Sequence, residues 1–507
     1  MRPAAVLVTL VAILGAKSLL AAPEASHEET TATSASPEVR RSLVKIFASS
    51  RLPDLFRPWS KLEPREVIGS GVVISDGRIL TSNHVVSYAS RILVQPDGSS
   101  DKLVAKVAAS SYGTDLAVLT LEDPAFFNGH PPLPFGTAVP EVGQPVVVYG
   151  YAVGGDSVSV TKGTVSRIEE AELTRGRGLR IQVDAALNPG DSGGPALVGD
   201  KLVGLAFTRE EKTDKTAYLI ALEEITAFLD AVKAGDVRDR PRLPVNVQTL
   251  ENPALRAKLG LDGETGGVMV LRPERDDFML RPWDVLSAIG PHAIDNAGLT
   301  PVQPNLRLDY DYFVPKLVKD GKVPLTVVRE AKPLKLDVPI DEGASRVLQP
   351  LAGAYPSYFI LGPLTFSVAY LDHLFVLNKV EKIGLLPFIV RSSPLVARAF
   401  SLPAFDGEQL VLGPTRMFTH PIGKGYWLPP LPVLRSVNGT AVRNLKHLVE
   451  LVRDSRDEYL VFEWADNYVE TLVFRREELL KATDDVLADN DIRSQSSDDL
   501  KPVWSPP

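Results

Sequence analysis

Asn188-Pro-Gly-Asp-Ser-Gly-Gly-Pro195 is a run of turn-forming residues around one serine, and apolar residues flank it on both sides. A serine hydroxyl is a weak nucleophile. A reactive serine therefore needs a base, a group that orients the base, and N–H donors facing the oxygen that becomes negative. Gly190 and the Gly193-Gly194 pair allow backbone conformations in which N–H groups converge on one point. A glycine-rich hairpin is the alternative interpretation, and a suitable histidine and aspartate upstream would decide between the two.

Two upstream residues fit the roles of base and orienting acid. His84 lies at the end of an apolar strand in the stretch Leu80-Thr-Ser-Asn-His-Val-Val86, where a base can be held at the edge of a core. Asp115 opens the run Asp-Leu-Ala-Val-Leu-Thr-Leu121, so we expect a buried carboxylate, for which an imidazole N–H is a suitable partner. Taken singly, His84 also fits a structural role and Asp115 a turn. Together with Ser192 they follow the chain order His, Asp, Ser of chymotrypsin-type enzymes.

Composition excludes several classes of function. The length of 507 residues allows two to four domains, and a net charge of -8 without a long basic run argues against nucleic acid as a partner. Cysteine is absent, which excludes disulfides, thiol catalysis and cysteine-ligated zinc. None of the seven histidines forms a His-x-x-x-His pair. We therefore expect neither a metal nor a cofactor.

The first residues resemble a secretory signal. Arg2 precedes an apolar run over residues 4–16, and Lys17 is followed by small residues that end at Ala22. We predict a signal peptide over residues 1–22; an uncleaved anchor is the alternative, although a spanning helix needs roughly 20 apolar residues. No later segment is long and apolar enough, so no stable membrane span is expected after signal removal. Secretion without cysteines favours a periplasmic or secreted protein of a bacterial envelope.

The composition and the predicted secondary structure change several times along the rest of the chain. Residues 23–40, rich in Glu, Ser, Thr and Ala, are predicted to be a flexible linker. From Val67 to Phe207, short β-rich runs alternate with turn signals, which predicts a mainly β barrel or sandwich pair. Residues 42–47 fit a strand or a short helix, and residues 221–232 form an amphipathic helical pattern.

Three motifs carry a resemblance to a known family. Ser82-Asn-His-Val-Val86, Thr114-Asp-Leu-Ala117 and the serine loop Asn188–Pro195 are similar to those of trypsin-fold proteases of the HtrA/Deg family. Residues 68–230 resemble the protease domain of this family. It implies a trypsin-like serine protease domain over residues 41–235, with two β-barrels and the active site in the cleft between them.

The resemblance also implies a role for each site residue. His84 would take the proton from Ser192 and later return it to the leaving amine, while Asp115 would hold the tautomer of His84. The N–H groups of Gly190 and Ser192, with Asp191 between them, would form the oxyanion hole. Many family members have Asn at the position of Asp191, whereas trypsin-like enzymes have Asp. Both occur in active enzymes.

The expected substrate pocket lies close to the nucleophile. Six residues before Ser192, where trypsin carries the acid that selects basic side chains, this chain has Ala186. We expect Ala186, Leu187 and Leu205 to line the pocket. The prediction is cleavage after small or medium aliphatic residues rather than after Lys or Arg.

The C-terminal half is similar to that of plant-type Deg proteases, which carry a first PDZ domain and a divergent second one. We place the first PDZ domain at residues 242–340, the second, PDZ-like domain at residues 355–480 and a loosely held tail at residues 481–507. PDZ domains bind peptide C-termini through loop N–H groups, but Pro244 stands where the family has Gly and removes one donor. A structural or assembly role for both modules therefore stays open. The matching stretches are Leu250–Arg256, Tyr355–Ile360, Val442–Lys446 and Ile492–Leu500.

The sequence thus predicts an ATP-independent serine endopeptidase that cleaves unfolded or damaged proteins. The resemblance implies a homo-oligomer, a trimer or a larger assembly, and the aromatic loop with Phe56 and Trp59 is the candidate subunit contact. The alternative is a non-proteolytic chaperone or PDZ scaffold whose triad is present but misaligned.

Overall fold

The computed structural model describes residues 36–173, 176–209, 216–238, 240–274, 278–340, 346–379 and 384–505. The predicted signal peptide, residues 1–22, and most of the predicted linker lie outside these ranges. The end of the linker is helical rather than flexible, because Pro37–Arg41 forms the one-turn helix α1. The Ser36 hydroxyl caps it by accepting from the N–H of Glu38, and Val39 is buried.

Six antiparallel strands close the first barrel in the order β1-β2-β3-β6-β5-β4. Its interior is filled by aliphatic side chains such as Val44, Ile46 and Leu119, all of them fully buried. The sequence allowed either a strand or a short helix over residues 42–47, and residues 43–47 lie in a strand. The strands are β1 (Leu43–Ser50), β2 (Arg65–Ile74), β3 (Arg78–Ser82), β4 (Ala89–Pro96), β5 (Leu103–Ser111) and β6 (Leu116–Leu121), with the short helix α2 (Asn83–Val86) after β3.

A second closed barrel follows, in the order β10-β11-β12-β9-β8-β7. The helix predicted over residues 221–232 follows its last strand and ends at Gly235, whose left-handed φ of 71° suits a helix C-terminus. With 37% strand and 20% helix, the mainly β class is confirmed. The elements are β7 (Pro145–Gly150), β8 (Ser159–Leu173), β9 (Gly176–Val183), β10 (Pro195–Val198), β11 (Lys201–Arg209), β12 (Ala217–Ala221) and α3 (Leu222–Ala234).

Residues 245–339 build a sheet in the order β13-β14-β15-β19-β20, with β16 paired to β15 and a separate β17-β18 hairpin. One continuous cluster of buried side chains extends from the second barrel into this sheet, so the two pack together. The elements are β13 (Val245–Thr249), α4 (Pro253–Lys258), β14 (Val268–Pro273), β15 (Val285–Ile289), β16 (His292–Ala293), β17 (Leu299–Gln303), β18 (Leu306–Asp309), α5 (Val314–Leu317), β19 (Lys322–Arg329) and β20 (Lys332–Pro339).

The last part of the chain holds a three-stranded sheet, β21-β22-β23, and a four-stranded sheet, β25-β24-β26-β27. The two sheets share one core, and a second cluster contains side chains of the surrounding helices such as Leu377, Phe388 and Leu395. The elements are β21 (Tyr358–Leu361), β22 (Leu364–Val368), α6 (Leu371–Lys379), α7 (Leu386–Val390), α8 (Pro394–Ala397), β23 (Val411–Leu412), β24 (Leu434–Val437), β25 (Thr440–Ala441), α9 (Leu445–Asp454), β26 (Tyr459–Trp464), β27 (Leu472–Arg475), α10 (Arg476–Asp489) and α11 (Lys501–Trp504).

The prediction of a loose tail over residues 481–507 is wrong for the described residues. Helix α10 continues to Asp489, and the chain then runs along the outer edge of β21. The N–H of Ile360 donates to the carbonyl of Gln495 at 2.8 Å, and the N–H of Ser497 donates to Tyr358 at 3.0 Å. The open edge of β21 offers unpaired backbone groups that a polar segment can satisfy as well as an apolar one.

The aromatic loop of the first barrel contacts the last part of the same chain. Phe56 packs against the cluster around Leu377 and Phe388, and the ring centroid of Trp59 lies 5.3 Å from that of Phe418. Both rings are therefore partly buried within one chain, which leaves less of their surface for a subunit contact. No helix among the described residues is long and apolar enough to cross a membrane.

Candidate active site

His84 and Asp115 meet at the rim of the first barrel. His84 lies in the single turn of α2 directly after β3, and Asp115 directly precedes β6, the strand paired with β3. The Nδ1 atom of His84 lies 2.5 Å from Oδ2 of Asp115, and the backbone N–H of His84 donates to Oδ1 at 2.9 Å. The two bonds orient the imidazole ring, because one carboxylate holds both its side chain and its backbone.

The carboxylate of Asp115 is fully shielded from water, with an exposure of 0%. Its backbone has a left-handed φ of 60°, and its carbonyl accepts from the N–H of Asn83 at 2.9 Å. A buried carboxylate needs donors to offset its lost hydration, and the Nδ1–H of His84 is one of them. This hydrogen bond assigns the proton to Nδ1 and leaves Nε2 of His84 free to act as a base.

Phe207 contacts both His84 and Ser192. Its ring lies edge-to-face against the imidazole, with centroids 6.3 Å apart, and its carbonyl accepts from the hydroxyl of Ser192 at 3.2 Å. The structure thus brings all three predicted triad residues to one place, but the Ser192 hydroxyl is bonded to Phe207 and not to His84. No local pattern in the sequence marks Phe207, since its contacts depend on the approach of β11 to the first barrel.

The carbonyl groups next to Ser192 all have donors. The Pro189 carbonyl accepts from the N–H of Val153 at 2.7 Å, and the Asp191 carbonyl accepts from the N–H of Gly194 at 2.9 Å. Because a peptide unit is planar, a held carbonyl also sets the direction of the N–H in the same unit. The N–H groups of Gly190 and Ser192 belong to these two units, so these hydrogen bonds constrain their directions.

Two N–H groups in this loop remain available. The N–H of Asp191 donates to the Asn188 carbonyl at 3.0 Å, which closes a tight turn before the nucleophile. Within the described ranges, the N–H groups of Gly190 and Ser192 have no acceptor. They are the two donors that the sequence predicted for an oxyanion hole, whereas the N–H of Asp191 is already used.

Gly190 and Gly193 both need to be glycine for this loop to form. Their φ angles are 100° and 83°, in the left-handed region that side chains disfavour. A Cβ at Gly190 would collide with the Tyr151 carbonyl, and one at Gly193 would collide with the Ser70 carbonyl. The glycines of the motif therefore permit a close approach between the loop and the rest of the barrels.

Asp191 acts through its side chain. It is 2% exposed, and its carboxylate accepts from the hydroxyl of Ser159 at 2.9 Å and from the N–H of Asn188 at 2.8 Å. Burial raises the pKa of Asp191, and the two hydrogen bonds oppose that rise. The carboxylate thus bridges the serine loop and β8, the strand that begins at Ser159.

A buried cation that the sequence analysis did not predict lies beside Phe207. Arg180 on β9 is 1% exposed, and its guanidinium carbon lies 5.2 Å from the centroid of the Phe207 ring. Burial lowers the pKa of Arg180, while the charges of Glu224 and Asp115 raise it.

The three predicted pocket residues differ in exposure. Ala186 is exposed, whereas Leu187 and Leu205 are buried, at 6% and 0% exposed. Of these three residues, Ala186 is therefore the one whose exposed surface a substrate side chain can reach. Among the described residues, no group of three or more His, Cys, Asp or Glu side chains is placed to hold a metal ion.

Two family models match the chain. The trypsin-like peptidase domain matches residues 69–205, and a PDZ domain matches residues 347–499. The two closed barrels, together with the serine loop and a histidine bonded to a buried aspartate, define a trypsin-like serine endopeptidase.

Curated relatives extend this likeness over most of the chain. Protease Do-like 2, chloroplastic, from Arabidopsis thaliana is 33% identical over 90% of this chain and 75% of its own length. Protease Do-like 4, mitochondrial, from the same plant is 34% identical over 85% of this chain and 80% of its own length. The chain belongs to the HtrA/Deg family of Do-like serine proteases. A solved structure, "HtrA-type protease AlgW with tripeptide", aligns with 24% identity and a TM-score of 0.48 over 60% of this chain and 94% of its own.

Proposed function

We propose that the chain is an ATP-independent serine endopeptidase whose nucleophile is Ser192, with His84 as general base and Asp115 as its orienting acid. The observation that carries the proposal is the contact of 2.5 Å between Nδ1 of His84 and the buried carboxylate of Asp115. It leaves Nε2 as the acceptor of the ring, and the contacts of Phe207 with both the imidazole and the Ser192 hydroxyl support the proposal that the two residues act together.

The reaction would begin when the Ser192 hydroxyl turns from the Phe207 carbonyl to Nε2 of His84. His84 takes the proton as the serine oxygen attacks the peptide carbonyl, and the resulting oxyanion accepts from the N–H groups of Gly190 and Ser192. Each such donor contributes about 10² to 10³ in rate in related chemistry. His84 then protonates the leaving amine as the C–N bond breaks, which leaves an acyl ester on Ser192. Water attacks this ester and gives its proton to His84, which returns a proton to the serine oxygen as the acyl group leaves as a carboxylic acid.

The proposed substrates are unfolded or damaged proteins, cut after small or medium aliphatic residues. Ala186 supports this specificity, because it is exposed near the serine loop and carries no acid that could select Lys or Arg. Mass spectrometry of peptides released from reduced, unfolded casein is the measurement. Products ending mainly in Lys or Arg would contradict the assignment of the pocket.

Three further features of the protein are also proposals: its domain bounds, its assembly and its location. The domains run over residues 41–235, 242–340 and 355–480, and the protein assembles as a trimer or a larger homo-oligomer. The N-terminal segment would direct it to a periplasmic or secreted location, while the Arabidopsis relatives are named for chloroplasts and mitochondria. Light scattering of the purified protein tests the assembly, and cell fractionation tests the location.

Casein digestion without nucleotide tests the proposed activity. The wild-type protein should digest unfolded casein and react with a fluorophosphonate, and Ser192→Ala should lose both reactions. Ser157→Ala, a change outside the serine loop, is the control and should keep both. If the wild-type protein never reacts but still prevents aggregation of unfolded casein, the chaperone alternative replaces the protease proposal.

A further inference from the structure

Ser70 on β2 contacts the serine loop on both sides of the nucleophile. It is 1% exposed, and its hydroxyl donates to the Gly190 carbonyl at 2.7 Å. The same hydroxyl accepts from the N–H of Tyr151 at 2.8 Å, so its donor and one acceptor site are both used. The backbone N–H of Ser70 donates to the Ser192 carbonyl at 2.9 Å. One residue of the first barrel thus holds two peptide units of a loop that belongs to the second.

Ser70 completes the set of donors that orient the loop. The carbonyls of Pro189 and Asp191 accept from backbone N–H groups, and so does that of Ser192. The Gly190 carbonyl is the exception, because its donor is the side chain of Ser70. The orientation of this one peptide unit can therefore be altered by a substitution that leaves the backbone donors in place.

The peptide unit between Gly190 and Asp191 links the two oxyanion donors. Its carbonyl is held by Ser70, and its N–H closes the turn to the Asn188 carbonyl at 3.0 Å. Glycine at position 190 allows this unit to rotate at little steric cost, since it lacks a Cβ. Without the hydroxyl of Ser70, the buried Gly190 carbonyl would lose its donor, and rotation of the unit would let it find another.

We propose that Ser70 is a positioning residue for the hydrolytic reaction: its hydroxyl holds the Gly190–Asp191 peptide so that the N–H groups of Gly190 and Ser192 face the oxyanion. The proposal rests on the proposed role of Ser192 as nucleophile. Ser70 touches neither the substrate nor the reacting atoms. Its effect is on the transition state, where the oxyanion exists, and not on the binding of the uncleaved peptide.

The test compares Ser70→Ala with a matched control in the full-length protein. Ser42→Ala removes another buried hydroxyl of the first barrel, one that donates to the Pro131 carbonyl at 2.7 Å away from the serine loop. For Ser70→Ala we expect kcat to fall about 10-fold to 100-fold and KM to change less than about 3-fold. Ser42→Ala should keep kcat within about 3-fold at a similar Tm.

A transition-state analogue gives a second readout. A peptide boronate forms a tetrahedral adduct with the serine and places an oxygen in the oxyanion hole. Its affinity should fall for Ser70→Ala by about the same factor as kcat. Ser70→Cys fills the same space with a weak donor and should show a smaller loss in both measurements. Ser70→Cys replaces Ser70→Ala in both measurements if Ser70→Ala does not fold.

The outcomes separate this inference from the proposed function. If Ser70→Ala and Ser70→Cys keep wild-type kcat and boronate affinity, Ser70 does not position the loop. A loss of kcat no larger than that of Ser42→Ala would overturn the inference in the same way. Full activity in Ser192→Ala would instead overturn the proposed nucleophile, whatever Ser70 does.

Discussion

The carboxylate of Asp115 binds His84 at two points, the Nδ1 atom at 2.5 Å and the backbone N–H at 2.9 Å. The first bond selects the tautomer of the imidazole, and the second holds the helical turn that carries it. The two functions can be separated by a substitution that keeps the shape of the side chain but removes its charge.

Asp115→Asn is expected to lower kcat by about 10⁴, because an amide can donate to Nδ1 and so favours the tautomer with the proton on Nε2. KM should change little, and the oxygen of the amide can still accept from the backbone N–H of His84. Steady-state kinetics on a peptide substrate give both values. A variant with near-normal kcat would show that His84 does not need this tautomer.

Asp191→Asn is expected to stabilise the protein at neutral pH. Burial raises the pKa of this carboxyl above its ordinary value of 3.8, so the folded state binds its proton more tightly than the unfolded state. Its contribution to stability is therefore fully present below the unfolded pKa and is lost as pH rises through the folded pKa. An amide can accept from the N–H of Asn188 and donate to the hydroxyl of Ser159 without a buried charge.

Thermal unfolding between pH 3 and pH 8 checks this prediction. The Tm of Asp191→Asn should exceed that of the wild type by a few degrees near neutral pH, and the difference should vanish near pH 3. Asp230→Asn on α3 changes an exposed acid and serves as the control. A Tm difference that does not depend on pH would mean that the charge of Asp191 is not the cause.

Gly193→Ala is expected to abolish activity and to destabilise the fold. The φ of 83° disfavours a side chain, and a Cβ there would collide with the Ser70 carbonyl and the Thr81 hydroxyl. We expect a loss of at least about 100-fold in kcat and of about 3 kcal/mol in the free energy of unfolding.

Gly199→Ala is the matched control for this collision. Gly199 also has a positive φ, 60°, but no atom lies within 4 Å of a Cβ built there. It should cost about 1 kcal/mol and leave kcat unchanged. Equal effects of the two substitutions would indicate backbone strain alone, without a steric requirement at the serine loop.

Arg391→Met is expected to destabilise the last part of the chain by about 3 to 5 kcal/mol, because it leaves the buried carboxylate of Asp466 without its cation. The Nε atom of Arg391 lies 2.8 Å from Oδ1 of Asp466, and the two side chains are 8% and 0% exposed. Denaturant unfolding followed by tryptophan fluorescence measures the change.

Lys106→Met removes the cation of an exposed ion pair with Glu122 and is the comparison. Surface pairs contribute about 0 to 1 kcal/mol, so this variant should unfold close to the wild type. Comparable losses in the two variants would mean that burial does not set the strength of these pairs.

Local patterns in the sequence predicted many of the strands and one long helix, and they pointed to the candidate site residues. Short strands, turn residues and the helix over residues 221–232 are visible in the sequence, because each depends on neighbours along the chain. The packing of the C-terminal tail and of the aromatic loop could not be predicted from such local patterns. Residues 495–497 are polar, yet they pair with β21 because that strand has an open edge. The rings of Phe56 and Trp59 pack against partners more than 300 residues away.

The sequence by itself predicted the chemistry proposed for this protein: a serine in a loop that needs glycines, preceded by a histidine at the end of one apolar strand and an aspartate at the start of another. Only the tertiary structure decided which groups orient that chemistry. Ser70 and Gly190 are 120 residues apart, and no periodicity links them. Their contact exists because two separately closed barrels bring a strand of the first against the serine loop of the second. The octapeptide at positions 188–195 therefore carries the proposed nucleophile, while the first barrel holds its backbone in place.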